Sequence, residues 1–149
     1  MNLWQIQPAV VALLKADSRL EGVPVIADDG TYPKTPGREA ALAGPGLVLI
    51  VWEIESDGLV DASNTGLAAH DVYTPVVIEE NPTTCRAETG VKIEAEKALQ
   101  HVLSALCGKV ASGGSRLVAM DPPFKNFGKV NGVRRIVANL SVRTFVKSP

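Results

Sequence analysis

The feature that most constrains the fold is an alternating stretch late in the sequence, residues 132–146 (GVRRIVANLSVRTFV). Apolar residues occupy every second position from 136 to 142, and arginine, asparagine or serine occupies positions 135, 139, 141 and 143. A period of two is that of a β-strand, whose successive side chains point to opposite faces. The stretch therefore predicts a long strand with one apolar and one cationic face. The apolar positions are Ile136, Ala138, Leu140 and Val142, and the polar positions are Arg135, Asn139, Ser141 and Arg143.

Two segments have the apolar spacing of helices. The first is expected to begin near Gln7, because Pro8 is tolerated only in a first turn, and to end before Gly22. The second covers residues 89–107, starting at 89 or 90, and Gly108 follows it at the position that ends many helices. Its apolar stripe consists of Ala95, Ala98, Leu99, Val102, Leu103 and Leu106.

Four further segments have the character of strands. Residues 47–54 (LVLIVWEI) form the most hydrophobic run in the chain, typical of a central strand covered on both faces. Residues 72–79 predict a second long strand, in which Pro75 lacks an amide donor and indicates an edge position or a bulge. Short strands are expected at residues 23–27 and 116–120.

Long connections separate these elements. Residues 28–46 form a glycine- and proline-rich loop with a helical turn expected at 38–42, and residues 121–131 form another loop. Residues 55–71 contain Asn-Thr-Gly at 64–66, which is compatible with a hairpin arm. Connections of this length are usually functional or mobile.

The order of elements predicts one domain over residues 1–149. Hydrophobic residues make up 46% and charged residues 21% of the chain, which is ordinary for a globular protein with a real core. Two helices and a set of strands joined mostly by hairpins favour an α+β fold. We expect a two-layer sandwich, with a mostly antiparallel sheet and two helices packed on one face.

The sequence contains no apolar run close to the roughly 20 residues of a membrane helix. The first residues lack the basic leader of a signal peptide and predict a structural helix instead. Cys85 and Cys107 provide neither a disulfide framework nor metal-ligand spacing, and Cys107 is expected to be a buried small hydrophobe. A reducing cytoplasm is the expected compartment.

Charge is distributed unevenly along the chain. Residues 1–108 contain 7 Lys and Arg against 15 Asp and Glu, a balance of −8, whereas residues 109–149 contain 8 against Asp121 alone, a balance of +7; the sum is the overall −1. This asymmetry indicates contact with nucleic acid, an acidic partner or the acidic part of a neighbouring copy. The alternative is that the fold interleaves the two halves so that their fields cancel.

Several short motifs suggest chemistry without completing it. Residues 117–124 (LVAMDPPF) resemble the signature of amino-group DNA methyltransferases, but no glycine-rich turn for S-adenosylmethionine precedes them. The alternative is a strand ended by a proline loop, with Phe124 and Phe127 folded back on the sheet. His70 and His101 have no partners at catalytic or metal spacing. We therefore predict no catalytic, cofactor-binding or metal-binding residue, and no enzyme activity.

Charged residues on and near the strands are the candidate site. Basic residues cluster around the last strand, and acidic residues alternate where the central strand ends. They suit an interface between subunits, a phosphate-binding module using the last strand, or solvated faces. The residues predicted for an interface are Arg134, Arg135, Arg143, Lys125, Lys129, Glu53, Glu55 and Asp57.

The order of elements resembles the small tail terminator or tail completion (neck) proteins of long-tailed bacteriophages. In that pattern a first helix and short strand (residues 10–27) precede two long strands that flank an insertion (47–79). A helix (89–107) and a final alternating strand (133–146) follow. The segment Glu-Glu-Asn-Pro at 79–82, which leads into the helix, is also similar in character to such proteins.

The resemblance implies a ring, usually of six copies, at the head-proximal end of a phage tail. Its implied partners are other copies of the chain, the tail tube protein, a head-completion or connector protein, and transiently the DNA in the channel. It implies no cofactor and no membrane, a location in the virion, and assembly in the host bacterial cytoplasm. The three long loops would then touch neighbours or the tube, and Arg134, Arg135 and Arg143 would lie at an interface or near the channel.

Overall fold

Eight strands and four α-helices make up most of residues 3–62, 67–112 and 115–147, which the computed structural model describes. The strands are β1 (Val25–Ala27), β2 (Leu47–Val51), β3 (Glu55–Ala62), β4 (Leu67–Tyr73), β5 (Val76–Glu80), β6 (Val110–Ser112), β7 (Ser115–Val130) and β8 (Val133–Lys147). The helices are α1 (Ile6–Ala16), α2 (Arg38–Ala43), α3 (Pro82–Arg86) and α4 (Ala95–Leu106). The class is α+β, with a curled, mostly antiparallel sheet.

Strand β8 lies at the centre of the sheet. Ile136 pairs with Ile78 of β5 and with Asn126 of β7, so these two strands lie on opposite edges of β8. β4 and β5 lie one after the other along the same edge of β8, because both pair with it in one antiparallel register. Beyond them, β2 pairs with β5, β1 runs parallel to β2, and β3 pairs with β4.

The alternation in the sequence is confirmed by burial. The four apolar positions of β8 are all buried, whereas Arg143 is exposed. The central strand predicted at 47–54 is also confirmed, since all five residues of β2 are buried, although it ends three residues earlier than expected. Its burial on both faces follows from its continuous apolar sequence.

Helices α1 and α4 pack on the same core cluster, and α2 packs on a second one. The larger cluster joins the apolar sides of α1 and α4 to Leu49 and Ile78. The smaller cluster joins Ala41 and Leu42 of α2 to Ile50. Leu49 and Ile50 are neighbours in β2, so the two clusters cover opposite faces of the sheet. The α+β class is confirmed, and the two-layer sandwich with two helices on one face stays a prediction. α2 covers part of the face opposite α1 and α4.

The helices differ from the sequence prediction at their ends. α1 ends at Ala16, because the Asp17 side chain accepts the Arg19 amide and starts a short 3-10 turn. α4 begins at Ala95 and not at 89 or 90; residues 87–94 are not helical, and a separate helix, α3, precedes them. Asn81 caps α3, and its preference for that position is the signal that the prediction missed. Cys107, expected to be buried, follows the last turn of α4 and is exposed.

The region predicted as a loop at 121–131 belongs to β7 up to Val130, and Asn131 lies in the turn before β8. Prolines at 122 and 123 suggested a strand end, but they lie where the pairing with β8 is irregular, between Ala119 and Phe124. An irregular register accommodates residues that lack an amide donor. Residues 55–71 do form a hairpin, β3 with β4, whose connection at 63–66 lies outside the described residues.

Pro75 is at neither an edge nor a bulge. It separates β4 from β5, both of which pair with β8, and its carbonyl accepts the Trp52 amide at 3.1 Å. The predicted strand 72–79 is therefore the end of β4 and most of β5. The helical turn expected at 38–42 is α2, one residue longer.

Gly46 allows α3 to approach the start of β2. Its φ is +82°, and a Cβ added there would lie 2.2 Å from the Cys85 amide nitrogen. Its carbonyl accepts the Asn81 amide at 2.8 Å, so the two backbones are held together. A side chain at this position would push α3 away from the sheet.

We predict that Gly46→Ala destabilises the fold far more than Gly108→Ala. Gly108 also has a positive φ, of +79°, but a Cβ there meets nothing within 4 Å. The backbone strain common to both should cost about 1 kcal/mol, and the clash at Gly46 should add at least about 2 kcal/mol. Urea unfolding of both variants measures the difference, and equal losses would contradict the close approach.

Candidate functional site

Three of the predicted interface arginines form ion pairs within the chain. Arg143 bonds Asp71 through Nε at 3.0 Å, and Arg135 lies 3.2 Å from Glu79. Arg134 contacts Glu96 and lies 3.7 Å from Glu80. All the partners belong to the acidic first 108 residues, so the fold interleaves the two halves at these places. Part of the charge asymmetry is therefore neutralised inside one subunit.

A buried carboxylate organises one of these pairs into a network. Glu79, at the end of β5, is fully buried. Its Oε1 accepts Arg38 Nε at 2.5 Å, and its Oε2 accepts Arg38 Nη2 at 3.0 Å. Oε2 also accepts the Tyr32 hydroxyl at 3.1 Å and Arg135 Nη2 at 3.2 Å. The Tyr32 ring lies beneath both guanidiniums, 5.9 Å from Arg38 and 5.1 Å from Arg135.

The ionisation of this network follows from its contacts. Burial is the largest single influence on Glu79 and favours its neutral form, but the hydrogen bonds and charges of Arg38 and Arg135 outweigh it, and the pKa of Glu79 falls below its ordinary value. The pKa of Arg38 is raised, chiefly by its hydrogen bonds to Glu79. Burial and the Glu79 charge raise the pKa of Tyr32. At neutral pH, two cations therefore share one anion beside a neutral phenol.

Glu80, the next residue, is also fully buried but has a different environment. Its Oε2 accepts the Ala95 amide at 3.1 Å and so caps the first turn of α4. In the described part of the chain its Oε1 accepts no hydrogen bond. Burial raises the pKa of Glu80, opposed by the Ala95 hydrogen bond and the more distant Arg134 charge.

The tip half of the β7–β8 hairpin is cationic and partly apolar. Lys125 and Lys129 are exposed, and the Lys125 ammonium lies 5.0 Å from the centre of the Phe127 ring. Phe124, Phe127 and Val130 are 43%, 47% and 64% exposed, so the phenylalanines do not fold back on the sheet as expected. We call these five residues the hairpin patch. A patch of this composition is typical of a surface that contacts another macromolecule.

A groove of about 370 Å³ lies between this hairpin and the loop before α2. Its apolar walls include Phe127, Val130, Val133 and Pro33, and both of its charged residues are arginines. The lining residues are Pro33, Arg38, Phe127, Val130, Asn131, Val133 and Arg135. The groove therefore joins the hairpin patch to the Glu79 network.

Exposed carboxylates lie at the other end of β2. Glu53 and Glu55 follow the strand and are exposed, as is Asp29 in the loop after β1. A Cβ added to Gly30 would lie 3.8 Å from the Glu53 carboxylate, which places this loop beside Glu53. We call Asp29, Glu53 and Glu55 the acidic strand end. Asp57 lies in β3, and its side chain is outside the described residues.

The other motifs remain unconnected to a site. Asp121 is exposed at the irregular part of β7, and His101 is half-buried on α4. The His70 side chain lies outside the described residues. Among residues 3–62, 67–112 and 115–147, no three His, Cys, Asp or Glu side chains are grouped as metal ligands would be. The same residues include no helix long and apolar enough to cross a membrane.

Tyr32, Arg38 and Glu79 were not predicted as site residues. A signal was present, because two glutamates end the otherwise apolar strand VVIEE at 76–80. Carboxylates that enter a core need cationic or amide partners. The sequence did not identify those partners, which lie 41 and 56 residues away for Arg38 and Arg135.

Comparison with known proteins gives a likeness of fold. No protein family matches the sequence, and no curated protein does. The structure is similar to a chain of the solved virion of a native gene transfer agent particle, with a TM-score of 0.62 and 22% sequence identity. The likeness covers 94% of each chain, so it extends over nearly all the elements described above.

We predict that Glu79→Gln lowers the free energy of unfolding by about 3–5 kcal/mol at pH 7, because it leaves two partly buried guanidiniums without an anion. The folded pKa of Glu79 is depressed, so its contribution is present above the ordinary value of 4.5 and is lost as pH falls through the folded value. Urea unfolding at pH 7 and pH 3 measures both effects. A variant as stable as the wild type at pH 7 would contradict the network.

Glu80→Gln, at the next position of the same strand, is expected to raise the free energy of unfolding at pH 7. The folded pKa of Glu80 is raised, so its protonated form stabilises the fold below the ordinary 4.5, and that contribution is lost as pH rises through the folded value. Glutamine is neutral and keeps an oxygen for the Ala95 amide. In thermal unfolding, the variant should have a higher Tm than the wild type at pH 7 and nearly the same Tm at pH 4. A lower Tm at pH 7 would mean that Arg134 outweighs burial.

Proposed function

We propose that this chain is a structural protein of a phage-like virion. The observation that carries the proposal is the likeness of fold to a chain of the gene transfer agent virion over 94% of both chains. The order of elements supports it, because it resembles phage tail terminator and tail completion proteins over most of the sequence. Several charged side chains of the described residues, among them Arg38, Glu79 and Arg135, form structural ion pairs, which also suits a structural role.

The finer proposal is a subunit of a ring at the head-proximal end of a tail. Such a ring would contain six copies, end the tail tube and join it to a head-completion or connector protein, with DNA passing through its channel. A closed ring needs two different patches on each subunit that meet head to tail. The hairpin patch and the acidic strand end have opposite charges and lie on different parts of the fold, as this requires.

The interface residues are proposed accordingly. Among the predicted interface residues, Lys125 and Lys129 are exposed cations and Glu53 and Glu55 are exposed anions. Arg143 is also exposed but pairs with Asp71, and Asp57 stays a prediction. Arg134 would act indirectly, by holding β8 against the acidic ends of β5 and α4, and Arg135 joins β8 to β5 through Glu79. Reversing the charge of Arg135 would disturb the Glu79 network, so exposed lysines give a cleaner test than the arginines do.

Binding of nucleic acid through the same hairpin is the alternative function. Two exposed phenylalanines beside two exposed lysines favour it, because aromatic rings stack on unpaired bases while cations contact phosphates. It predicts an affinity that falls steeply with salt. A structural ring subunit predicts assembly that depends on protein concentration instead. The methyltransferase alternative would require binding of S-adenosylmethionine.

We predict that the purified protein forms a closed ring at high concentration. Light scattering over a concentration series should show a mass approaching six times 15.7 kDa, and negative-stain images should show rings. The double variant Lys125→Glu, Lys129→Glu should shift assembly to concentrations at least about tenfold higher. Lys15→Glu with Lys97→Glu, at exposed helix positions, is the matched control.

Each outcome has a clear meaning. Rings weakened by the hairpin variant but not by the control would support the proposed function. Assembly unaffected by either variant would contradict the hairpin as an interface. Salt-sensitive binding of single-stranded DNA, lost in the hairpin variant while the wild type stays monomeric, would favour the alternative function.

A further inference from the structure

The groove beside the hairpin has one unbalanced positive charge. Arg38 and Arg135 line it, and the single carboxylate of Glu79 lies beneath them. Two cations and one anion leave a surplus of +1, since Tyr32 is neutral. The exposed Glu39 also acts on Arg38, but its contribution is the smallest among the causes that raise the pKa of Arg38.

Both guanidiniums retain hydrogen-bonding capacity. Arg38 bonds Glu79 through Nε and Nη2, and Arg135 does the same. In the part of the chain that the structure describes, the Nη1 groups of these two arginines donate no hydrogen bond. The Tyr32 ring and Glu79 hold the arginines in position, so a bound anion would cost little side-chain ordering.

The walls of the groove favour a protein segment over nucleic acid. Phe127, Val130, Val133 and Pro33 surround the arginines, and apolar walls add affinity only for a ligand with apolar surface. DNA binding depends on many phosphate contacts, whereas this groove supplies one surplus charge. A single carboxylate on an aliphatic stem matches both the charge and the walls.

The chain carries such a carboxylate at Glu53, which forms no ion pair with Arg38 or Arg135 among the residues that the structure describes. Glu80 and Leu47 pair at the groove end of β2 and β5, and Val51 and Val76 pair at the other end, next to Glu53. From Leu47 to Val51, β2 spans about 13 Å at about 3.3 Å per residue, which is longer than the screening length of about 8 Å at physiological salt. The groove and the acidic strand end therefore lie toward opposite ends of β2.

We propose that the groove receives the acidic strand end of a second copy of this chain, with the Glu53 carboxylate bound by Arg38 and Arg135. The inference rests on the proposed ring and names its contact. Each copy presents a groove at one end of its strands and a carboxylate at the other, so the contact is head to tail and every copy serves as donor and acceptor. The apolar walls would pack on the carboxylate stem and its neighbouring residues.

The first test fills the groove with its own anion. Val130→Asp places a carboxylate in the groove beside the two arginines, and Val118→Asp makes the same exchange on the same strand outside it; the two valines are 64% and 58% exposed. Val130→Asp should raise the dissociation constant of self-association at least about tenfold, and Val118→Asp should not. Thermal unfolding of both variants checks that they remain folded.

The second test combines two defective copies. Glu53→Lys removes the proposed ligand but keeps the groove, whereas Val130→Asp keeps the ligand but blocks the groove. Neither variant should assemble alone, and a mixture should form a one-to-one dimer, because one intact contact remains between them. Sedimentation velocity at equal concentrations measures it. Glu88→Lys, at an exposed position away from both patches, is the control and should assemble as the wild type does.

The outcomes separate this inference from the proposed function. Rings that form in the wild type and in both variants would overturn the groove contact and leave the ring intact. A wild type that stays monomeric at its highest soluble concentration would overturn the groove contact. The proposed function would then be tested separately, by asking whether the protein binds the end of a tail tube. A mixture that gives no dimer would overturn the pairing of these two patches. If the wild type binds a DNA duplex and Val130→Asp does not, the groove binds phosphate and not a carboxylate of a second copy.

Discussion

The ion network around Glu79 is the interaction on which the rest of the structure depends. One buried carboxylate at the end of β5 binds Arg38 of α2, Arg135 of β8 and the hydroxyl of Tyr32. It therefore ties the loop before α2 to the two innermost strands of the sheet. An anion at this depth is tolerable only because two guanidiniums and a phenol satisfy it, and removing it would leave two partly buried cations without an anion. Its position also determines where the groove lies.

The internal ion pairs decide which charges remain for other molecules. Arg134, Arg135 and Arg143 each have an acidic partner in the chain, so the cationic face predicted for β8 is largely neutralised. Lys125 and Lys129, on the neighbouring strand, remain exposed and lie beside apolar side chains. In this part of the described chain, the surplus positive charge therefore lies at the hairpin tip and in the groove under it. This division between structural arginines and exposed lysines fits the chemistry of the two side chains, since guanidinium suits buried, multiply bonded sites.

The charges at the two ends of the strands give the subunit a direction. A groove with a surplus cation lies at one end of β2 and β5, and carboxylates lie at the other. In the proposed ring, copies would meet head to tail through these two ends, and such assembly closes when the rotation between copies permits. The gene transfer agent virion chain has a similar fold over 94% of its length.

The sequence by itself determined the strand β8, the central strand β2, the apolar stripe of α4 and the α+β class, because periodicity and continuous apolar character act locally. The sequence did not predict α3. Its two prolines in β7 indicated a strand end, but the strand continues there because the irregular pairing with β8 accommodates them. Only the tertiary structure decided which charges are paired. Arg38 and Arg135 reach Glu79 across 41 and 56 residues, and no local pattern encodes such a meeting. The groove and its surplus charge follow from that long-range geometry.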